Sequence, residues 1–350
     1  MQGKSLKGTL NVDVSTHPVN AVTLVNSLDD GTIGDSGSGV YKVTHSAIPA
    51  DSSATGSEIK ANEDYRYYGP SPNNYICLDM EGGSTCPDKH LYRIIGSIYE
   101  EKENTNRIKV IKATPLTDGT TKGFSWDYTS IGNYSNIWAT VTSGNYSNSL
   151  SSGSQLMKLL NSGAWWNGTS GTYYNYNINK NGIKTINVDF TNYKLSDKVK
   201  SYVMTSRYYL GGCNSFSGVM TNQFYAYERG TTRYNTSRPL YWDGMVGLMY
   251  PSDYGYAAGN SCVTGTDIYN YSNECNNKDW LYNSSTSPWL MSPYSDNSDG
   301  VFYVDYNSLG SIIWGYSNSA LAVSPVFYLT SSVSISEGTG EENNPYIVTK

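Results

Sequence analysis

Residues 91–116 read LYRIIGSIYEEKENTNRIKVIKATPL. Two runs rich in Ile, Val and Tyr flank the polar turn EEKENTNR. Such β-branched and aromatic runs, bounded by turn residues, predict strands. The upstream run NNYICL has the same character, so the three are expected to pair as an antiparallel meander. Working outward, most of the chain repeats this pattern of short strands and many turns: MVGLMYPSDYGYAA (a buried strand, then a Pro-containing turn), WLMSPYSD, VFYVDYN, SIIWGY and AVSPVFYLTSSVSI. Two helices interrupt it. SGSQLMKLLN puts Leu156, Leu159 and Leu160 on one face, with Ser154 as N-cap. LSDKVKSYVMTSRYYLGG starts at a Ser196 cap and is expected to run until Gly211 ends it, with Val199, Tyr202, Val203 and Leu210 as its apolar stripe. Two helices among many short strands give an α+β fold with small antiparallel sheets and much loop.

The first 60 residues differ. TLNVDVS predicts a short strand and NAVTLVNSL one or two helical turns, while GDSGSG and ADSSATGS read as linker. This segment is expected to be an arm or stalk on a main body spanning 61–350. The opening MQGKSLKGTLNVDV is read as a start left after removal of a leader.

Composition narrows the function. The chain of 350 residues carries 33 Tyr and 34 Gly but only 6 Phe, and charged residues make up 15%. Its core must lean on Tyr and Trp, whose polar atoms need partners when buried. A net charge of −6, with no basic run, argues against a nucleic-acid partner. No apolar run reaches the roughly 20 residues of a membrane span. The abundance of Asn, Ser, Thr and Tyr suits an exported surface protein. Cys77/Cys86 and Cys262/Cys275 each bracket a short polar loop, and two local disulfides are the simplest reading; the alternative is five reduced thiols in a cytosolic protein. Cys213 is left over.

SPYSDNSDGVFYVDYNSLGSIIWGYSNSA (292–320) is the candidate site. VFYVDYNSLGSII predicts a hairpin with Phe302, Val304 and Ile312 facing the core. The residues expected to project as a ligand-binding surface are Tyr294, Ser295, Asp296, Asn297, Tyr303, Asp305, Tyr306, Asn307, Ser308, Ile313, Trp314, Tyr316, Ser317, Asn318 and Ser319. Tyr and Trp supply contact area at low rotamer cost, and Ser and Asn adaptable hydrogen bonds.

Several stretches carry a family resemblance: PNNYICL, TCPDKHLYRIIG, QLMKLLN, DGMVGLMYPSDYGYAA, NKDWLYN, WLMSPYSD, AVSPVFYL and GTGEENNPYIV. Together they resemble the tyrosine- and asparagine-rich surface proteins of gut Firmicutes, often found behind a prepilin-like leader, over roughly Thr23 to Val348. The C-terminal part is similar to the C-type-lectin-like fold used by formylglycine-generating enzymes and by the variable proteins of diversity-generating retroelements. The resemblance implies a C-type-lectin-like domain, an adhesin or pilus-associated role, and a diversified C-terminal face on a retained frame of Phe302, Val304, Gly310, Ile312 and Ala322. The chain departs from the family at Ser324, where members often carry Arg before the Pro of the last core strand.

The residues favour binding over catalysis. No cysteine follows Cys275, so the paired cysteines of a formylglycine-generating enzyme are missing, and Cys213 has no assignable base. A secreted carbohydrate-active enzyme would draw paired carboxylates from Asp243, Asp253, Asp296, Asp299 and Asp305, but spacing selects no pair. Asp253 in YPSDYG is expected to bond its own backbone in a turn. Asp296, Asn297 and Asp299 lie close enough in sequence to offer oxygens to calcium, without EF-hand spacing or an E-P-N signature. The expectation is a non-enzymatic, cell-surface binder of a protein or glycan, with no required cofactor.

Overall fold

The computed structural model describes residues 18–31, 33–34, 37–127, 154–177, 182–234, 236, 238–297 and 299–349. The expected meander is present. Strands β4 (Tyr75–Cys77), β5 (Leu91–Glu100) and β6 (Thr105–Lys112) pair antiparallel, with Tyr75 opposite Arg93 and Tyr92 opposite Lys112. They are the middle of a nine-stranded sheet. It also holds β1 (Val19–Asn20), β2 (Gly39–His45), β3 (Asn62–Tyr68), β16 (Val326–Tyr328), β17 (Ser334–Glu337) and β18 (Tyr346–Thr349).

β5 organises this sheet. β4 pairs with it at Leu91–Arg93 and β3 at Gly96–Ser97, while β6 follows it from Tyr92 to Glu100. A bulge between Ile94 and Gly96 marks the change of partner. Only glycine fits at 96, because a Cβ there would collide with the Tyr65 carbonyl. On the far side β18 runs parallel to β4 and antiparallel to β17, and β17 carries β1.

Smaller antiparallel units complete the chain. β7 (Phe124–Ser125) pairs with β15 (Ala320–Leu321), β8 (Ser170–Asn177) with β9 (Gly182–Asp189), and β10 (Ser206–Tyr209) with β11 (Tyr241–Gly244). β12 (Trp289–Pro293), β13 (Gly300–Asp305) and β14 (Ser311–Tyr316) form a three-stranded sheet. The layout is α+β, as expected.

The helices are short. α2 (Gln155–Asn161) buries Leu156, Leu159 and Leu160, and Ser154 accepts from the Met157 N–H as its cap. α4 (Asp197–Tyr202) is capped by Ser196, but it does not continue to Gly211. Val203 is extended (φ −78°, ψ 127°), and the following SRYY is strand β10. Here strand pairing overrides the helical spacing: Arg207 ion-pairs across to Asp243 at 3.0 Å, and the Tyr208 and Trp242 rings meet at 5.6 Å. Six further short helices are described: α1 (Ala21–Ser27), α3 (Ala164–Asn167), α5 (Thr221–Glu228), α6 (Pro251–Gly255), α7 (Asn260–Gly265) and α8 (Asn273–Asn276). The expected turn at Pro251 is therefore the first turn of α6, where proline needs no N–H partner.

The described part of the N-terminal segment makes contacts with the rest of the chain. α1, capped by the Asn20 side chain, buries Ala21, Leu24 and Val25. β2 pairs residue by residue with β3 from Gly39↔Tyr68 to His45↔Asn62. Ala54 and Ile59 belong to the main hydrophobic core, and Ser53 bridges to Gly230. Within ADSSATGS, Ser53 and Ala54 are buried while Ala50, Asp51, Ser52, Gly56 and Ser57 are exposed. The strand expected over TLNVDVS lies outside the described residues.

Candidate ligand-binding surface

The hairpin read from the sequence is β13–β14, with register Phe302↔Trp314, Tyr303↔Ile313 and Val304↔Ile312. Phe302, Val304 and Ile312 are almost wholly buried, so the frame is fixed. Its tip is closed by Asp305, whose carboxylate accepts from the Asn307 N–H (3.1 Å) and the Ser308 hydroxyl (2.6 Å). Leu309 and Gly310 turn the chain with positive φ, and a Cβ at Gly310 would strike Tyr254 and Tyr282.

Directly opposed residues share a face of an antiparallel pair, and neighbours along a strand alternate. That rule divides the expected surface. Trp314 and Tyr316 lie on the Phe302 side; Tyr303 and Ile313 lie on the other. On the first side Trp314 stacks on Tyr294 (centroids 4.9 Å, interplanar 10°), and Tyr316 stands edge-on to Trp314 at 5.6 Å. Tyr294 meets Phe302 and Phe216 edge-on, and Phe216 continues to Tyr269 at 5.1 Å. Tyr316 is 53% exposed and Tyr269 39%, so this cluster reaches water. On the second side Tyr303 packs edge-on to Trp289 and lies over Gly315. At the tip, Tyr306, Asn307, Ser308 and Leu309 are exposed.

A single outward patch of all fifteen residues is therefore not what the fold presents. Ser295, Asp305, Ser317 and Asn318 are buried. Ser317 is held by backbone bonds to Asp299 and Asp127, and the Asn318 carbonyl accepts from Ser125. Asp296 is exposed, while Asn297 and Ser319 are half-buried. Phe216 and Tyr269 join the aromatic cluster from distant segments, a contribution that no local pattern announced.

Three of the five carboxylates considered for catalysis, Asp243, Asp253 and Asp305, are engaged by internal partners. Asp243 ion-pairs with Arg207 and, at 3.4 Å, with Lys102. Asp253 accepts from the Tyr250 N–H, as its turn-like motif suggested, but it also pairs with Arg66 (3.0 Å) and Lys109 in the core. Burial pushes its carboxyl up, yet these two cations outweigh burial and hold it below the usual range. Asp64 closes the network, accepting from Arg66 at 2.7 Å and lying 2.9 Å from His45 Nε2. Burial raises Glu228 to about 7 despite Arg229 beside it. The side chains of Asp64, Asp253 and Glu228 are at most 1% exposed.

Cys77–Cys86 and Cys262–Cys275 are disulfide-bonded, and Cys213 is a buried thiol. The two bridges fit a protein kept outside the reducing cytosol. Burial pushes the Cys213 thiol up to about 12, which leaves little nucleophilic thiolate at neutral pH. Near the loop considered for calcium, the Arg238 guanidinium donates to the carbonyls of Tyr294 and Asn297, both at 3.2 Å. Asn297 Oδ1 accepts from the Asp299 N–H. Among the described residues no group of three or more His, Cys, Asp or Glu is arranged to hold a metal ion, and no helix is long and apolar enough to cross a membrane.

Compared with protein-family models, with curated proteins and with solved structures, the chain matches none.

Proposed function

We propose that this chain is an extracellular, cell-surface binding protein, an adhesin or pilus-associated subunit, that holds a protein or glycan ligand on the aromatic cluster of its C-terminal hairpin. The observation that carries this reading is the join between a buried frame and wet rings. Phe302 is fully buried, while Tyr316, on the same face of the hairpin, is 53% exposed. Aromatic side chains held rigid at the surface lose little entropy on binding. The lectin-like scaffold and the diversification of this hairpin are parts of the same proposal, resting on the motifs from PNNYICL to GTGEENNPYIV. A catalytic reading has less support, since Asp243, Asp253 and Asp305 are already committed to internal partners.

Sequencing the locus in sibling strains tests the reading. The expected outcome is substitution concentrated at Tyr294, Tyr306, Asn307, Ser308, Trp314 and Tyr316, with Phe302, Val304, Gly310 and Ile312 unchanged. A nearby reverse transcriptase with a template repeat would establish diversification. Substitutions spread evenly over the chain, or confined away from the hairpin, would overturn the proposal.

A further inference from the structure

The nine-stranded sheet ends on an open strand. β2 is its last member, paired with β3 residue by residue from Gly39↔Tyr68 to His45↔Asn62 without a register shift. The strand at the other end, β1, has only two residues. Beyond β3, the one bridge that β2 makes among the described residues is Asp29↔Val40, near its start. From Tyr41 to His45 the outer backbone groups bond to no described residue. A regular row of such N–H and C=O groups is a template for another strand.

The features that commonly close an edge are missing. GVYKVTH holds no proline and no bulge. Its charged side chain, Lys42, leans back over the sheet, with Nζ 3.1 Å from Glu63 Oε1 on β3. Tyr41, Val43 and His45 face inward, and burial lowers His45, so it carries no charge at neutral pH.

A recess of about 1190 Å³, open solvent included, lies beside this edge. Tyr41, Val43 and Tyr256 are its buried floor, and half-buried Ile33, Met220 and Val263 border it. Lys42 lines it too, although its side chain points to the opposite face from its neighbours. A hollow that meets three consecutive residues of a strand runs along the strand's edge.

The open stretch is complementary to itself. It runs from Tyr41 to His45, with Val43 at its centre. An antiparallel partner keeps buried side chains on one face only in registers that change by two residues. A second β2 centred on Val43 sets Val43 opposite Val43, Tyr41 opposite His45 and Lys42 opposite Thr44. Apolar and aromatic groups then meet on one face, and each lysine meets a hydroxyl on the other. Centring on Lys42 would oppose two lysines, and centring on Thr44 would run past the end of β2.

We propose that two copies of this chain pair antiparallel through β2, about a twofold axis at Val43, into one continuous sheet. Such a contact uses the same surface on both copies and closes on itself. The dimer carries two C-terminal aromatic clusters, so a ligand repeated on a surface is held at both. Dimerisation does not depend on the binding reading, and either can fail without the other.

Sedimentation velocity on the whole chain, from about 1 to 100 μM, tests this. A monomer–dimer equilibrium is expected, with amide exchange at residues 41–45 slower at the higher concentration. Thr44 is exposed and lies opposite Glu63 in its own sheet, so lysine is tolerated there in the monomer. In the dimer Thr44→Lys opposes lysine to lysine on both sides of the axis and is expected to weaken association about tenfold. Adding Lys42→Glu to that variant makes the opposed charges attractive and should restore the dimer. A monomer throughout the range, or a dimer that Thr44→Lys leaves unchanged, overturns the proposal.

Discussion

Asp279 is a carboxyl enclosed by the fold, accepting from the Tyr271 hydroxyl (3.3 Å) and the Leu281 N–H (2.8 Å). Burial raises it to about 8, well above the value near 3.9 of the unfolded chain. The folded state therefore holds this proton over a window in which the unfolded state releases it. Below about pH 4 both states are protonated and the group costs nothing; as pH rises towards 8 it destabilises progressively, by at most about 1.4 kcal/mol per pH unit. Asp279→Asn keeps both hydrogen-bonding positions and removes the titration. Its melting temperature should fall less between pH 5 and pH 8 than that of the unaltered protein, measured by thermal denaturation. An identical fall in both would show that Asp279 ionises freely in the fold. Asp253 poses the opposite case. Asp253→Ala would leave Arg66 and Lys109 charged, buried and short of a partner, and is expected to cost about 3–5 kcal/mol in denaturant unfolding. Sequence placed Asp253 in a turn where its side chain bonds nearby backbone, and it does accept from the Tyr250 N–H. It could not show the two cations, because Arg66 and Lys109 lie 187 and 144 residues away along the chain.

Among elements, the C-terminal hairpin was the most legible. Alternation of apolar residues in VFYVD and the NSLG turn gave its strands, its turn and its buried frame. The same period of two also dictates that Ile313 and Trp314 face opposite ways, so one continuous surface of both could not form. Helix α4 was half legible. Ser196 announced its start, but its end at Tyr202 follows from pairing with β11, whose partner residues lie some 35 positions downstream. Two outcomes follow for these elements. Tyr316→Ala, removing a ring 53% exposed, should leave the melting temperature nearly unchanged, whereas Trp314→Ala breaks the Tyr294 stack and should cost roughly 1–3 kcal/mol. Equal effects of the two substitutions in thermal melts would contradict the placement of these rings. Replacing Cys262 and Cys275 together by serine opens a loop of 13 residues, for an expected loss of roughly 3 kcal/mol by chemical denaturation.

For the molecule as a whole, the central sheet ties both ends of the described chain into one body. β1 pairs with β17, β2 with β3, and α1 packs its apolar face into the core that also holds Val326 and Ile335. A chain begun at residue 61 would lose α1 and β2, removing the strand paired with β3 and the helix packed on β5 and β6. It is expected to express as insoluble material or without a cooperative thermal transition, where a detachable arm would leave the transition intact. What the sequence determined by itself was local: the strand runs, the caps at Ser154 and Ser196, the hairpin, the disulfide pairs and the α+β class. Each of these depends on residues within about a dozen positions of one another, where periodicity and turn chemistry act directly. The tertiary structure alone decided which aromatic rings gather at the surface, where the buried charges find partners, and that Arg93 stacks on Trp280. Those arrangements depend on contacts between segments 100 to 200 residues apart, and hydrophobic burial, which draws such segments together, carries no direction that a linear pattern can encode.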